Sequence, residues 1–119
     1  MSVELLPGIT IESGNYKRRF EALRKLFDYY RMERKRRPDD PEIQFAQRLI
    51  EMHTKACETG NETTKRQHNS FVCRYIGNMS LGNIADKTHV TKRSVSRDID
   101  GTLKRMMVLA FGVDGVEWL

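Results

Sequence analysis

Between Ser80 and Thr91 the chain has room for one short helix and a turn. Both hydroxyl residues stand just before apolar residues at helical spacing: Leu81 and Ile84 after the first, Val95 and Ile99 after the second. A hydroxyl there marks a helix start, because its oxygen accepts an N–H that the first turn leaves unpaired. The spacing predicts a helix over Leu81 to Lys87, a tight turn around Thr88 to Val90, and a long helix from Thr91 to Ala110 or Phe111, closed by Gly112. Two helices joined this way form a helix-turn-helix unit, whose members cross steeply and need a small residue where they touch. Ala85 supplies it. Leu81, Ile84, Val90, Val95 and Ile99 are expected to pin the pair to a core, the last two lying on one helix face.

That pinning leaves the polar residues of "VTKRSVSRDI" on other faces. Lys92, Arg93, Ser96 and Arg97 are the expected contacts to DNA bases. The start of a recognition helix approaches base edges, and the planar fork of arginine can bond guanine twice. Ser80, Lys87, Thr91 and Ser94 suit phosphate oxygens, which set register rather than sequence preference. His89 falls in this turn, where a strained backbone conformation is expected.

Upstream, residues 1–15 carry Pro7, Gly8 and Gly14 and read as a flexible arm; "GITI" could be a strand but has no visible partner. Tyr16 to Arg37 reads as a helix with a stripe of Phe20, Leu23, Leu26, Phe27 and Tyr30, ended by Pro38. Asp40-Pro41-Glu42 is a strong helix start, and Ile43, Ala46, Leu49, Ile50, His53 and Cys57 follow at helical spacing. These two helices are expected to form an antiparallel hairpin over 16–60. Thr63 or Thr64 would cap a third helix, Lys65 to Ile76, with Phe71, Val72, Tyr75 and Ile76 inward and Gly77 at its end. The fold class is thus all-α: an N-terminal helical hairpin, then a three-helix helix-turn-helix DNA-binding domain over 61–119, with Trp118 in the tail packing back.

"SLGNIADKTHVTKRSVSRDID" resembles the helix-turn-helix of deoxyribose-repressor-type DNA-binding domains and of sigma factor region 4. The shared pattern falls on Ile84-Ala85 and on Val90, Thr91, Arg93, Ser94, Val95, Arg97, Asp98 and Ile99. "TLKRMMVLAFG" is similar to the end of phage sigma-like late transcription regulators of the ArpU and RinA type. The resemblance spans about 35 residues, Met79 to Gly112. It implies a sequence-specific, double-stranded DNA-binding transcription regulator of phage or prophage origin. It also implies two alternatives: a module docking on RNA polymerase, or a DNA-packaging recognition subunit.

The charge distribution agrees with an anionic partner. Net charge is +5, yet Lys17–Arg37 holds ten basic residues against three acidic, and Lys87–Arg105 six against two, so the remainder is acidic. Within the first block, Arg34, Lys35, Arg36 and Arg37 form a second candidate phosphate contact; the alternative is a solvated helix end. Tyr16, Phe20, Phe27, Tyr29 and Tyr30 could stack on single-stranded bases, but at this spacing they are expected in the core, with Tyr29 the one expected to be exposed. His53, Cys57, His68 and Cys73 could make a Cys2His2 metal set; no finger spacing is present, so they are read as core residues, with no metal or cofactor. No phosphate-cradling glycine loop, nucleophile elbow or carboxylate cluster is seen, and a binding protein rather than an enzyme is expected. No signal peptide or membrane-length apolar run is visible, so a cytoplasmic protein with reduced thiols and no membrane partner is expected. A homodimer is a further expected partner, through Met106, Met107 or Trp118 if exposed.

Overall fold

A computed structural model describes the backbone of residues 2–6 and 9–113 and the side chains of residues 17–110. The body is all-α, built from α1 (Ser13–Glu33), α2 (Pro41–Cys57), α3 (Glu62–Tyr75), α4 (Leu81–Thr88) and α5 (Lys92–Val113). Before it stands a two-stranded antiparallel ribbon, β1 (Ser2–Leu6) with β2 (Ile9–Glu12). Val3 pairs with Ile11 and Glu4 with Thr10, and the register shifts between Glu4 and Leu6. The "GITI" strand therefore has a partner, in place of the expected arm: "SVELL" pairs along it.

Local chemistry sets most helix ends. Asp40 caps α2 and accepts the Glu42 amide at 2.8 Å, with Pro41 at the first helical position. Ser80 accepts the Asn83 amide and Thr91 the Ser94 amide, each at 3.1 Å. The cap of α3 is Asn61 rather than Thr63 or Thr64; its side-chain oxygen takes the Thr64 amide at 2.8 Å. α3 stops at Tyr75, and the left-handed residue beyond it is Asn78 (φ 54°). α4 ends on His89, whose φ of 58° and ψ of 40° are left-handed, as its place in the turn requires. There the Val90 amide reaches back to the Ala85 carbonyl at 3.1 Å. α1 gives way to a turn after Glu33, earlier than Arg37, and α5 runs through Gly112 to Val113 instead of closing on it. Trp118 lies outside the described residues.

All five helices share one core. Phe27 of α1 is fully buried, meeting Phe71 edge-on at 4.9 Å and Tyr75 at 5.8 Å. Leu49 and Ile50 of α2, Ile84 and Ala85 of α4, and Val95, Ile99, Leu103, Met106 and Met107 of α5 complete it. Met106 and Met107 are 0% and 1% exposed, which removes them as surface candidates for a dimer contact. Val72 and Ile76 are only half-buried. Val90, expected to pin the turn, is 40% exposed; Ile84, Ala85, Val95 and Ile99 do the pinning without it. Among the described residues no helix is long and apolar enough to cross a membrane.

Candidate nucleic-acid interface

The orientation of α5 is fixed on its inner side. Asp98 is 7% exposed and takes two hydrogen bonds from Arg66 of α3, Nε to Oδ2 at 3.2 Å and Nη2 to Oδ1 at 3.1 Å. A two-pronged pair of this kind holds an angle as well as a distance. Three residues on, Gly101 faces Gln67; a Cβ there would lie 2.7 Å from the Gln67 side-chain oxygen, so a larger residue would have to displace the end of that side chain. With Val95 and Ile99 also inward, the first two turns of α5 have one rotational setting.

That setting turns Lys92, Arg93 and Arg97 outward; all three are exposed, and among the described residues none forms an ion pair. The Lys92 stem lies over Gly82 of α4, its Cε 3.2 Å from where a Cβ would be. Ser96 is half-buried. Arg97, Ser94 and Arg66 border a hollow of about 390 Å³ floored by Asp98 and Gln67. Ser80 and Thr91 are exposed, their oxygens accepting amide protons as caps; Thr91 donates to Ser94 Oγ at 3.1 Å. Lys87 leans the other way, its ammonium donating to Cys73 Sγ at 3.7 Å.

The Arg34–Arg37 run is dispersed by contacts within the protein. Arg34 is half-buried, donates to the Ile76 carbonyl and lies over the Tyr30 ring at 5.6 Å. It closes the open end of α3. Arg36 pairs with Glu33 at 2.9 Å, and Arg37 stands 3.9 Å from the same carboxylate. Lys35 is exposed and pairs with no described residue. Arg31 donates to Asn78 at 3.1 Å, which together with Arg34 ties the end of α1 to the connection just before Ser80.

Among the described aromatic residues of α1, Phe27 and Tyr30 are buried, and Phe20 and Tyr29 are half-buried. Tyr30 donates to Gln47, and Tyr29 donates to Asp40 Oδ2 at 2.6 Å. The hydrogen bond to Asp40 holds the Tyr29 phenol above its usual range, and the same bond holds the Asp40 carboxyl below its own. Tyr16 lies outside the described side chains.

Of the four residues of the candidate Cys2His2 set, three meet. His53 and Cys57 share one face of α2, and His68 comes to them from α3; Cys73 is elsewhere, beside Lys87. The two Nδ1 atoms are 2.7 Å apart, Cys57 Sγ is 3.6 Å from His53 Nδ1, and Arg105 Nε is 3.2 Å from His53 Nε2. Burial, then the neighbouring His68 and Arg105, push the His53 pKa down to about 4. Burial, with Arg105, lowers His68 as well.

Set against protein families, characterised proteins and solved structures, the chain finds no match.

Proposed function

We propose that the chain binds double-stranded DNA as a transcription regulator, with α4, the His89 turn and α5 acting as a helix-turn-helix. The observation that carries this is the pairing of a fixed helix with uncommitted charge. α5 is held to α3 by the two-pronged Arg66–Asp98 pair, while Lys92, Arg93 and Arg97 at its start pair with no described residue. A helix held rigidly while its arginines face solvent suits a major groove, where bidentate contacts demand fixed geometry. Amides at the starts of α4 and α5, with the Ser80 and Thr91 hydroxyls, would receive phosphates. In this reading Arg93 and Arg97 read bases, Lys92 and Ser96 assist, and the sigma-like phage regulators are the class whose role fits.

Selection from a random duplex pool tests it. Enrichment of a defined site is expected, and a palindromic site would identify a symmetric dimer. Recovery of no preferred sequence at physiological salt would refute the reading.

A second reading, docking on RNA polymerase, draws on the apolar surface of the first two helices. Met32 and Met52 are 72% and 48% exposed, and Phe45 borders an open groove with Leu26 and Tyr29. Retention of polymerase on the immobilised protein after nuclease treatment would favour it.

A further inference from the structure

The cluster formed by His53, Cys57 and His68 has donors and acceptors whose protons can be placed from both ends. Arg105 can only donate, so its Nε–H requires a lone pair on His53 Nε2, and the His53 proton sits on Nδ1. At the other end, the Thr54 hydroxyl donates to the Ile50 carbonyl at 2.8 Å. His68 Nε2, 3.0 Å from that hydroxyl, must then donate to it, leaving a lone pair on His68 Nδ1. One proton therefore lies between the two Nδ1 atoms, 2.7 Å apart, with the Cys57 sulfur 3.6 Å from one of them.

We propose that a zinc-class divalent transition-metal ion takes the place of that proton, bound by His53 Nδ1, His68 Nδ1 and the Cys57 thiolate. Two imidazoles and one thiolate form a donor set suited to zinc or cobalt, and all three ligand atoms lie within 4.8 Å of one another. With metal–nitrogen bonds of about 2.0–2.1 Å and a metal–sulfur bond of about 2.3 Å, a tetrahedron separates nitrogen from sulfur by about 3.6 Å and nitrogen from nitrogen by about 3.3 Å. The His53–Cys57 separation already has that value, the two rings need to part by about 0.6 Å, as exchanging a proton for a larger ion requires, and His68 and Cys57, whose ligand atoms lie within 4.8 Å, must settle at about 3.6 Å. The His68 lone pair already points inward, braced by Thr54 and Ile50, an outer hydrogen-bond chain of the kind that orients metal-bound histidines.

Arg105 gives independent support. Its Nη2 is buried and has no hydrogen-bond partner among the described residues. A thiolate at Cys57 would give this guanidinium a counter-charge; Arg105 already favours the thiolate, against the burial that raises the thiol. On binding, the Cys57 thiol proton leaves to solvent and the His53 proton moves from Nδ1 to Nε2. Arg105 then loses its acceptor there and turns toward the sulfur. The ion's fourth position is left to water or hydroxide. The site joins α2 to α3, and it revises the expectation that these residues are core alone.

Cobalt(II) added to the chelator-stripped, full-length protein tests the site directly, with no DNA present. One equivalent is expected to produce intense tetrahedral visible bands and a near-ultraviolet thiolate charge-transfer band. Zinc should displace both. Cys57→Ser and His68→Gln should abolish the thiolate band or the tetrahedral spectrum respectively, and Cys73→Ser should keep both. X-ray absorption on the zinc-loaded wild type, which needs no variant to fold, should show one sulfur and two imidazole nitrogens. A folded wild type giving only the weak spectrum of hydrated cobalt, a thiolate band surviving in Cys57→Ser, or a zinc shell without sulfur would each overturn the proposal.

Discussion

The two basic blocks look alike as strings of letters and differ in what their charges are doing. In Arg34–Arg37, Arg34 is bound to a carbonyl and a ring, and Arg36 and Arg37 share Glu33. At the start of α5, Lys92, Arg93 and Arg97 pair with no described residue. The difference comes from the neighbours. Glu33 lies one turn from Arg36 and Arg37, and the bare carbonyls ending α3 lie within reach of Arg34. The two acids beside Arg97 are engaged elsewhere: Asp98 by Arg66, and Asp100 with Arg24 at 3.8 Å. Local acidity therefore does not report how much charge is available to a ligand. What matters is whether the acids are already taken.

The comparison can be broken most sharply by removing the free charges. Replacing Arg93 and Arg97 together with alanine should weaken specific DNA binding by about 2–6 kcal/mol, at about 1–3 kcal/mol for each base contact, with the urea midpoint unchanged. Binding isotherms at one fixed salt concentration measure it; equal affinity in the folded double variant would cancel the distinction between the blocks.

Acid should act on the seam between α2 and α3, sparing both blocks. His53 resists protonation when folded, with a pKa near 4, and accepts a proton near 6.5 when unfolded. The unfolded chain therefore binds more protons between these values. Stability should be full above pH 6.5 and fall by about 3 kcal/mol as the pH drops to 4 in chelator, a slope of about 1.4 kcal/mol per unit. Urea melts across that range check it.

Arg34→Ala probes the committed charge. It should cost about 1.5–3 kcal/mol of folding stability, because it strips a charged donor from a carbonyl, and change DNA affinity little. A large affinity loss at unchanged stability would move Arg34 into the interface. His89→Gly should stabilise by about 1 kcal/mol, by relieving a left-handed non-glycine residue in the turn, as seen in the thermal midpoint. Smallest of all, Arg36→Ala should change stability by less than about 1 kcal/mol, since its ion pair is exposed to solvent.

The sequence was legible where structure depends on near neighbours. Asp40, Ser80 and Thr91 cap their helices, and His89 is left-handed, because each outcome is set within a few residues. The long-range features were not. Arg34 finds a carbonyl 42 positions away, and Arg66 meets Asp98 across 32, pairings that no periodicity announces. Met106 and Met107 sit on the long helix where either an inner or an outer face was compatible with the pattern; both turn inward to the shared core. Asn61 displaced the threonines as cap because α3 begins a few residues earlier than its apolar stripe. The histidine–cysteine cluster was half visible: His53 and Cys57 share a face by spacing alone, but the arrival of His68 depends on how α3 crosses α2.

α5 is a single rod of 22 residues, about 33 Å long at 1.5 Å per residue. Its far end is clamped in the core at Met106 and Met107, and Arg93 stands about 20 Å nearer the start. A tilt of about 5° at the clamp would carry Arg93 sideways by about 1.7 Å, more than half the length of a hydrogen bond. The buried methionines thus act on Arg93 through a long lever, and the Arg66–Asp98 pair, five residues from Arg93, is what keeps that lever from swinging.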